Sequence, residues 1–181
     1  MDFKSVLSLL LRKFRESNIN YALMGGFALG LWGVGRTTVD IDFLVRREDM
    51  NGIDRIMHDA GYECKYSSEN VSQYVSPLKV FGEVDFLHAF REASLEMLER
   101  AEEKQIFDEP LKINVLKPED LIGLKLQAIK NDPLRWRNDM ADIESLINIH
   151  GRKLDLPLVK KYFQIFDMEN LYIKLFEGEN K

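Results

Sequence analysis

One cysteine, Cys64, stands among 181 residues, so no intrachain disulfide can form and a reducing, cytoplasmic setting is expected. A thiol of this kind is expected to be buried and inert. The three histidines, His58, His88 and His150, pair neither with one another nor with the cysteine at metal-ligand spacing, which leaves zinc without support. Solvent or core duty is expected of them. No serine sits in a strand-to-helix elbow, so serine hydrolysis is without support too. The tryptophans are only Trp32 and Trp136, and burial against neighbouring helices is their expected use.

Long apolar runs are also missing. None approaches the ~18 residues of a membrane span, and the N-terminal "MDFKSVLSLLLRKFRES" is not built as a signal peptide. Its apolar residues Phe3, Val6, Leu7, Leu10, Leu11 and Phe14 recur at helical spacing instead. There is no excess of positive charge: the net charge is −5, so the whole chain does not attract nucleic acid. Charge is uneven, however, and the segment Lys112–Arg137 carries six bases against three acids.

What is present is a chain with 45% hydrophobic residues, enough to bury a core. Strand and helix patterns mix over residues 1–116, and only helical patterns follow over 117–181. An α/β core with a small helical C-terminal part is the expected division. Strands are predicted at Tyr21–Met24, in "TTVDIDFLV", in "YECKY", on either side of Pro77 and in "PLKINVL". "SLEMLERAEEKQ" reads as one continuous helix, and further helices are predicted in "KPEDLIGLKLQAIK", from about Arg135 to Ile149, and in the last two segments.

The stretch Tyr21–Val45, "YALMGGFALGLWGVGRTTVDIDFLV", carries the chemistry. A dinucleotide fingerprint fails there, because Phe27 stands where the second glycine is required. "GLWGVGRT" approximates a P-loop, yet its glycines follow a helix and lead into a strand, the reverse of the order that motif needs. A third reading joins Gly25-Gly26, a short helix, a loop and Asp40-Ile41-Asp42 on the next strand. Alternation points Asp40 and Asp42 to one face, where two repelling carboxylates favour Mg²⁺. Bare glycines at a helix start let a triphosphate approach backbone N–H groups. Together they read as one nucleotide site.

These residues resemble the signature of the DNA polymerase β-like nucleotidyltransferase superfamily: a hydrophobic residue, Gly-Gly, a spacer, then Asp-hydrophobic-Asp. Met24-Gly25-Gly26, Arg36, Thr38, Asp40 and Asp42 carry the match, with thirteen residues between Gly26 and Asp40. The flavour is similar to the minimal, abortive-infection toxin branch (type IV toxin–antitoxin). The resemblance implies a mixed β-sheet flanked by helices and a third acid on a later strand, for which "GEVDFLHAF" supplies Asp85, with Glu83 as the alternative. Further on it implies a lysine followed by a basic-Asp-x-x-Asp helix, matched by Lys125, Arg135, Arg137, Asp139 and Asp142. Asp40, Asp42 and Asp85 are the implied metal ligands and, with Lys125, the implied catalytic set. Gly25, Gly26, Arg36, Thr38, Asp139 and Asp142 are the implied nucleotide contacts, although the two aspartates could equally orient Lys125.

The implied reaction is Mg²⁺-dependent transfer of a nucleoside monophosphate from an NTP, ATP included, to an acceptor hydroxyl, with Mn²⁺ as a substitute ion. RNA, particularly a tRNA 3′ end, or a protein is the expected acceptor, and an antitoxin the expected partner. The competing classes are a small-molecule enzyme of the aminoglycoside type and a non-catalytic nucleotide-binding or antitoxin-like module.

Overall fold

The computed structural model describes residues 1–107 and 111–178. It resolves into two compact units, Met1–Leu31 with Arg36–Leu116, and Trp32–Gly35 with the chain from Lys117 onward. No helix among the described residues is long and apolar enough to cross a membrane.

The first unit is built on seven strands: β1 (Tyr21–Met24), β2 (Asp40–Arg46), β3 (Glu63–Ser67), β4 (Val71–Val75), β5 (Glu83–Ala89), β6 (Glu102–Ile106) and β7 (Leu111–Val115). They form one mixed sheet in the order β3-β4-β5-β2-β1-β7-β6, with β2 at its centre. β1 runs antiparallel to β2, whereas β2 and β5 run parallel in full register from Asp40↔Glu83 to Arg46↔Ala89. Helices α1 (Phe3–Glu16), α2 (Gly25–Leu31), α3 (Met50–Asp59) and α4 (Glu92–Glu99) complete the unit.

The apolar stripe of α1 does what its spacing predicts: Val6, Leu7, Leu10, Leu11 and Phe14 are all buried. Asp2 starts this helix by accepting the Ser5 N–H, satisfying one of its unpaired donors. Phe14 meets Tyr21, Phe43 and Phe86 at ring-centre distances of 5.3, 5.5 and 6.3 Å. Phe43 and Phe86 are register partners on β2 and β5 and stack at 5.8 Å. This aromatic cluster fixes one face of the central strands. By strand alternation, the other face of the same residues' neighbours carries Asp40, Asp42 and Asp85.

Four expectations change. "SLEMLERAEEKQ" is not one helix: α4 stops at Glu99, and Glu102–Ile106 forms β6. The strand expected in "TTVDIDFLV" starts only at Asp40, and Val39 is exposed in the loop before it. Cys64 is exposed, because every residue of the edge strand β3 is. Trp136 is about half exposed rather than packed away. The strand expected in "PLKINVL" is β7 from Leu111, and its predicted first residue, Pro110, lies outside the described residues.

In the second unit, α5 (Pro118–Asn131) packs against α6 (Trp136–His150) and α7 (Leu156–Ile165), with the short α8 (Glu169–Tyr172) against α7. Pro118 opens α5 in the first-turn position where its missing N–H costs nothing. Asp120, fully buried on α5, accepts the Tyr162 hydroxyl of α7 at 2.6 Å. His150 closes α6 by donating Nε2–H to the Trp32 carbonyl at 3.1 Å. Between α5 and α6, Lys125 Nζ donates to Asp139 Oδ1 at 2.8 Å and pairs with Asp142 Oδ2 at 2.6 Å. Arg135 Nε donates to Asp139 Oδ2 at 2.8 Å. Burial alone would raise the Asp139 pKa, but hydrogen bonds and charge from Arg135 and Lys125 outweigh it and hold it below the ordinary value.

Two stability predictions follow from these clusters. Phe14→Ala removes a ring at the centre of the aromatic contacts and should cost about 3–5 kcal/mol, read as a lower urea midpoint. A depressed folded-state pKa makes the Asp139 contribution complete above the unfolded value of about 3.9 and lost as pH falls through the folded value. The melting-temperature gap between wild type and Asp139→Asn should therefore be widest near neutrality and close below about pH 4. A gap that stayed constant down to pH 3 would remove Asp139 from the acid response.

Candidate functional site

The centre of the sheet brings three carboxylates together. Asp40 and Asp42 occupy alternate positions on β2, and the parallel register places Asp85 of β5 directly beside Asp42. One oxygen from each of Asp40, Asp42 and Asp85 lies within 4.8 Å of the others. Glu83 is the register partner of Asp40 and is exposed, but the cluster is completed by Asp85. All three carboxylates are half-buried, and among the described residues no His or Cys joins them.

The surroundings of Asp85 favour a cation. Burial pushes the Asp85 pKa up to about 6, the negative charges of Asp40 and Glu83 add to that, and a Gln73 hydrogen bond partly offsets it. Asp85 Oδ1 is buried without a hydrogen-bond partner among the described residues. An orphaned buried carboxylate oxygen beside two further carboxylates is costly unless a positive ion meets it. Three hard oxygen donors suit Mg²⁺ or Mn²⁺, so the residues present fit a divalent ion.

The glycine half of the site adjoins them. β1 ends at Met24, the register partner of Asp42, and the chain turns at Gly25 with φ +66°, a left-handed value that favours glycine. A side chain on Gly25 would overlap the Asp42 carboxylate. A side chain on Gly26 would come within 2.6 Å of Thr38 Oγ1, with Arg36 Nε 3.6 Å away. Bare backbone at the start of α2 thus lies directly against Asp42 and Thr38, an approach that only glycine permits. Thr38 Oγ1 donates to Asp40 Oδ1 at 2.5 Å, fixing the first carboxylate from the loop.

So Gly25, Gly26, Arg36, Thr38, Asp40, Asp42 and Asp85 gather in the α/β unit. Lys125, Asp139 and Asp142 gather in the helical unit, in the ion-pair cluster with Arg135 described above. Both Asp139 oxygens are engaged there, and the Lys125 side chain is only 12% exposed. Arg137 is exposed and does not enter the cluster. Gln73 was not anticipated. It stands opposite Asp85 on β4, and the signal was available in "VSQYV", where it alternates with buried Ser72 and Tyr74.

Comparison with known proteins bears on the family and the fold. The family model described as "Uncharacterised nucleotidyltransferase" matches residues 4–173. Among curated proteins, no sequence matches the chain. Among solved structures, the antibiotic-resistance factor ANT(2'')-Ia aligns over 99% of this chain and 100% of its own, with a TM-score of 0.68 at 17% identity. The lincosamide antibiotic adenylyltransferase LnuA, solved with lincomycin bound, aligns over 80% of this chain and 96% of its own, with a TM-score of 0.57 at 16% identity. An antigenic nucleotidyltransferase-like protein from Paracoccidioides brasiliensis aligns over 96% and 90%, with a TM-score of 0.57 at 18% identity. At such identities these likenesses concern the fold. The family match spans nearly the whole chain, and the protein accordingly belongs to this nucleotidyltransferase family.

Proposed function

We propose that the protein transfers a nucleoside monophosphate from an NTP to an acceptor hydroxyl, using a divalent ion held by Asp40, Asp42 and Asp85. The observation that carries this is the orphaned Asp85 Oδ1 within a three-carboxylate cluster, with Asp42 packed against backbone where only glycine fits. Bound Mg²⁺ would supply charge neutralisation of the triphosphate and a lowered pKa for the attacking hydroxyl. The chain's own residues do the rest. Gly25 and Gly26 let the phosphates reach the N–H groups at the start of α2. Thr38 keeps Asp40 oriented, and Asp85 would complete the ligand set of the ion that activates the attacking hydroxyl. Arg36 offers its guanidinium to the phosphates beside Gly26. For Lys125 the resemblance implies a substrate contact, and within the helical unit Asp139 and Asp142 hold its ammonium in place.

Two acceptor readings have separate support. A small hydroxyl compound is favoured by ANT(2'')-Ia, whose full length aligns with this chain, and by LnuA, solved with lincomycin. An RNA end, as in the toxin-type branch, is favoured by the corner before α6. There Leu134 is 92% and Trp136 47% exposed, interleaved with Arg135 and Arg137, the basic-aromatic pattern that stacks on single-stranded bases. Incubation with each α-labelled NTP, Mg²⁺ and, in turn, aminoglycosides and lincosamides, total RNA, or protein extract separates them by which fraction takes the label.

Two outcomes are expected. Asp85→Asn should lower turnover by about 10²–10⁴-fold, and Gly25→Ala should weaken NTP binding, while full activity in Asp40→Ala would overturn the assignment. Independently of activity, Mg²⁺ at about 100 times its Kd should stabilise the wild type by about 2.7 kcal/mol. That gain should be lost in Asp42→Asn, and an equal gain in both proteins would place the ion elsewhere.

A further inference from the structure

The α/β unit contains a polar cavity apart from the residues proposed for nucleotidyl transfer. It has a volume of about 280 Å³ and lies among the start of α3, the β3–β4 hairpin and the end of β5. Arg47, Asn51, Asp54, Ser67, Ser72 and His88 contribute to its lining. Strand alternation puts Ser72, Tyr74 and His88 on the face opposite to Gln73 and Asp85, so the cavity and the carboxylate cluster lie on different sides of one sheet.

This cavity is costly to build. Ser72 and His88 are 2% and 6% exposed on a sheet face otherwise filled by apolar side chains. His88 Nδ1 donates to the Glu69 carbonyl at 3.1 Å, which fixes the tautomer, and Nε2 accepts the Ser72 hydroxyl at 3.0 Å. Arg47 is held flat, its guanidinium carbon 3.4 Å from the centre of the Phe90 ring and its Nη2 donating to Asn70 Oδ1 at 3.3 Å. Its Nε is nonetheless buried without a hydrogen-bond partner among the described residues, a condition it shares only with Asp85 Oδ1. The same deficiency of opposite sign therefore marks both places: an acceptor short of a cation, and a donor short of an anion.

A guanidinium pinned in this way is pre-organised for an oxyanion, which its planar fork binds through parallel N–H donors. The rest of the lining is rich in acceptors. Asp54 and Glu69 present carboxylates, that of Asp54 already receiving the Tyr74 hydroxyl and lying 3.4 Å from His58 Nδ1, and the Ser72 hydroxyl is committed to His88. Acceptors on the walls call for donors on the ligand. The volume is just below the ~300 Å³ at which small-molecule sites usually begin, so the ligand has few carbons. We propose that this cavity binds a small phosphorylated polyol, its phosphate on Arg47 and its hydroxyls toward Asp54 and the serine oxygens.

The proposal does not rest on nucleotidyl transfer, and its test keeps the two apart. The full chain is titrated by calorimetry and by amide NMR in EDTA with ribose 5-phosphate, inorganic phosphate and ribose. Ribose 5-phosphate should bind saturably and shift the amides of residues 47, 68–72 and 88, with phosphate weaker and ribose weaker still. Arg47→Met should weaken the sugar phosphate by tenfold or more, Arg47→Lys should weaken it less, and Asp40→Asn should leave it unchanged. Melting curves of both Arg47 variants confirm that the fold is retained. Absence of saturable binding, equal binding by Arg47→Met and wild type, or shifts centred on residues 25, 42 and 85 would each overturn the proposal. Phosphate binding as tightly as ribose 5-phosphate would overturn its polyol half.

Discussion

The parallel pairing of β2 with β5 is the constraint on which the rest depends. A single register, Asp42↔Asp85 and Phe43↔Phe86, decides both faces of the sheet's centre at once. On one face it stacks two phenylalanines under Phe14; on the other it presses carboxylates together against their mutual repulsion. A slip of one residue would carry acids into the aromatic core and rings into the site. The apolar side therefore holds the acidic side in place, and burial on one face supplies the free energy that offsets repulsion on the other.

Both halves of the site are edges of that arrangement. β1 pairs antiparallel with β2, so its last residue, Met24, meets Asp42 and the turn at Gly25 begins where the acids are. Glycine is required there because the carboxylate already occupies the space a side chain would need. The helical unit handles charge differently. Lys125 and Arg135 are matched by Asp139 and Asp142, so the charges balance within the cluster, and the depressed pKa of Asp139 follows. In the carboxylate cluster Asp85 is pushed the other way, by burial first and then by the charges of Asp40 and Glu83.

How much of this was legible follows from where each residue sits in the sheet. Central strands write themselves into sequence. Asp40-Ile41-Asp42 and Val84-Asp85-Phe86 alternate polar and apolar because one face is buried and the other is not. The seven-stranded mixed sheet with flanking helices matches the fold the sequence implied. Two of the misreadings fall on the two edges of the sheet. β6 is the outer strand beyond β7, and its Glu-Glu-Lys-Gln run has helical propensity and little burial to contradict it. β3 is the opposite edge and exposed throughout, so the expectation of a buried Cys64 failed there. The Arg47 cavity was invisible for another reason: its walls come from the turn after β2, from α3 and from strands β3, β4 and β5, and only the fold brings them together.

The central claim is that the β2–β5 carboxylates form a divalent-ion site. Anomalous diffraction from crystals grown with Mn²⁺ and a non-hydrolysable NTP analogue tests it most directly. The account predicts a manganese peak bound by Asp40 and Asp42, with Asp85 oxygen in the same cluster and the phosphates against Gly25 and Gly26. Nucleotide bound with manganese away from all three aspartates would contradict it.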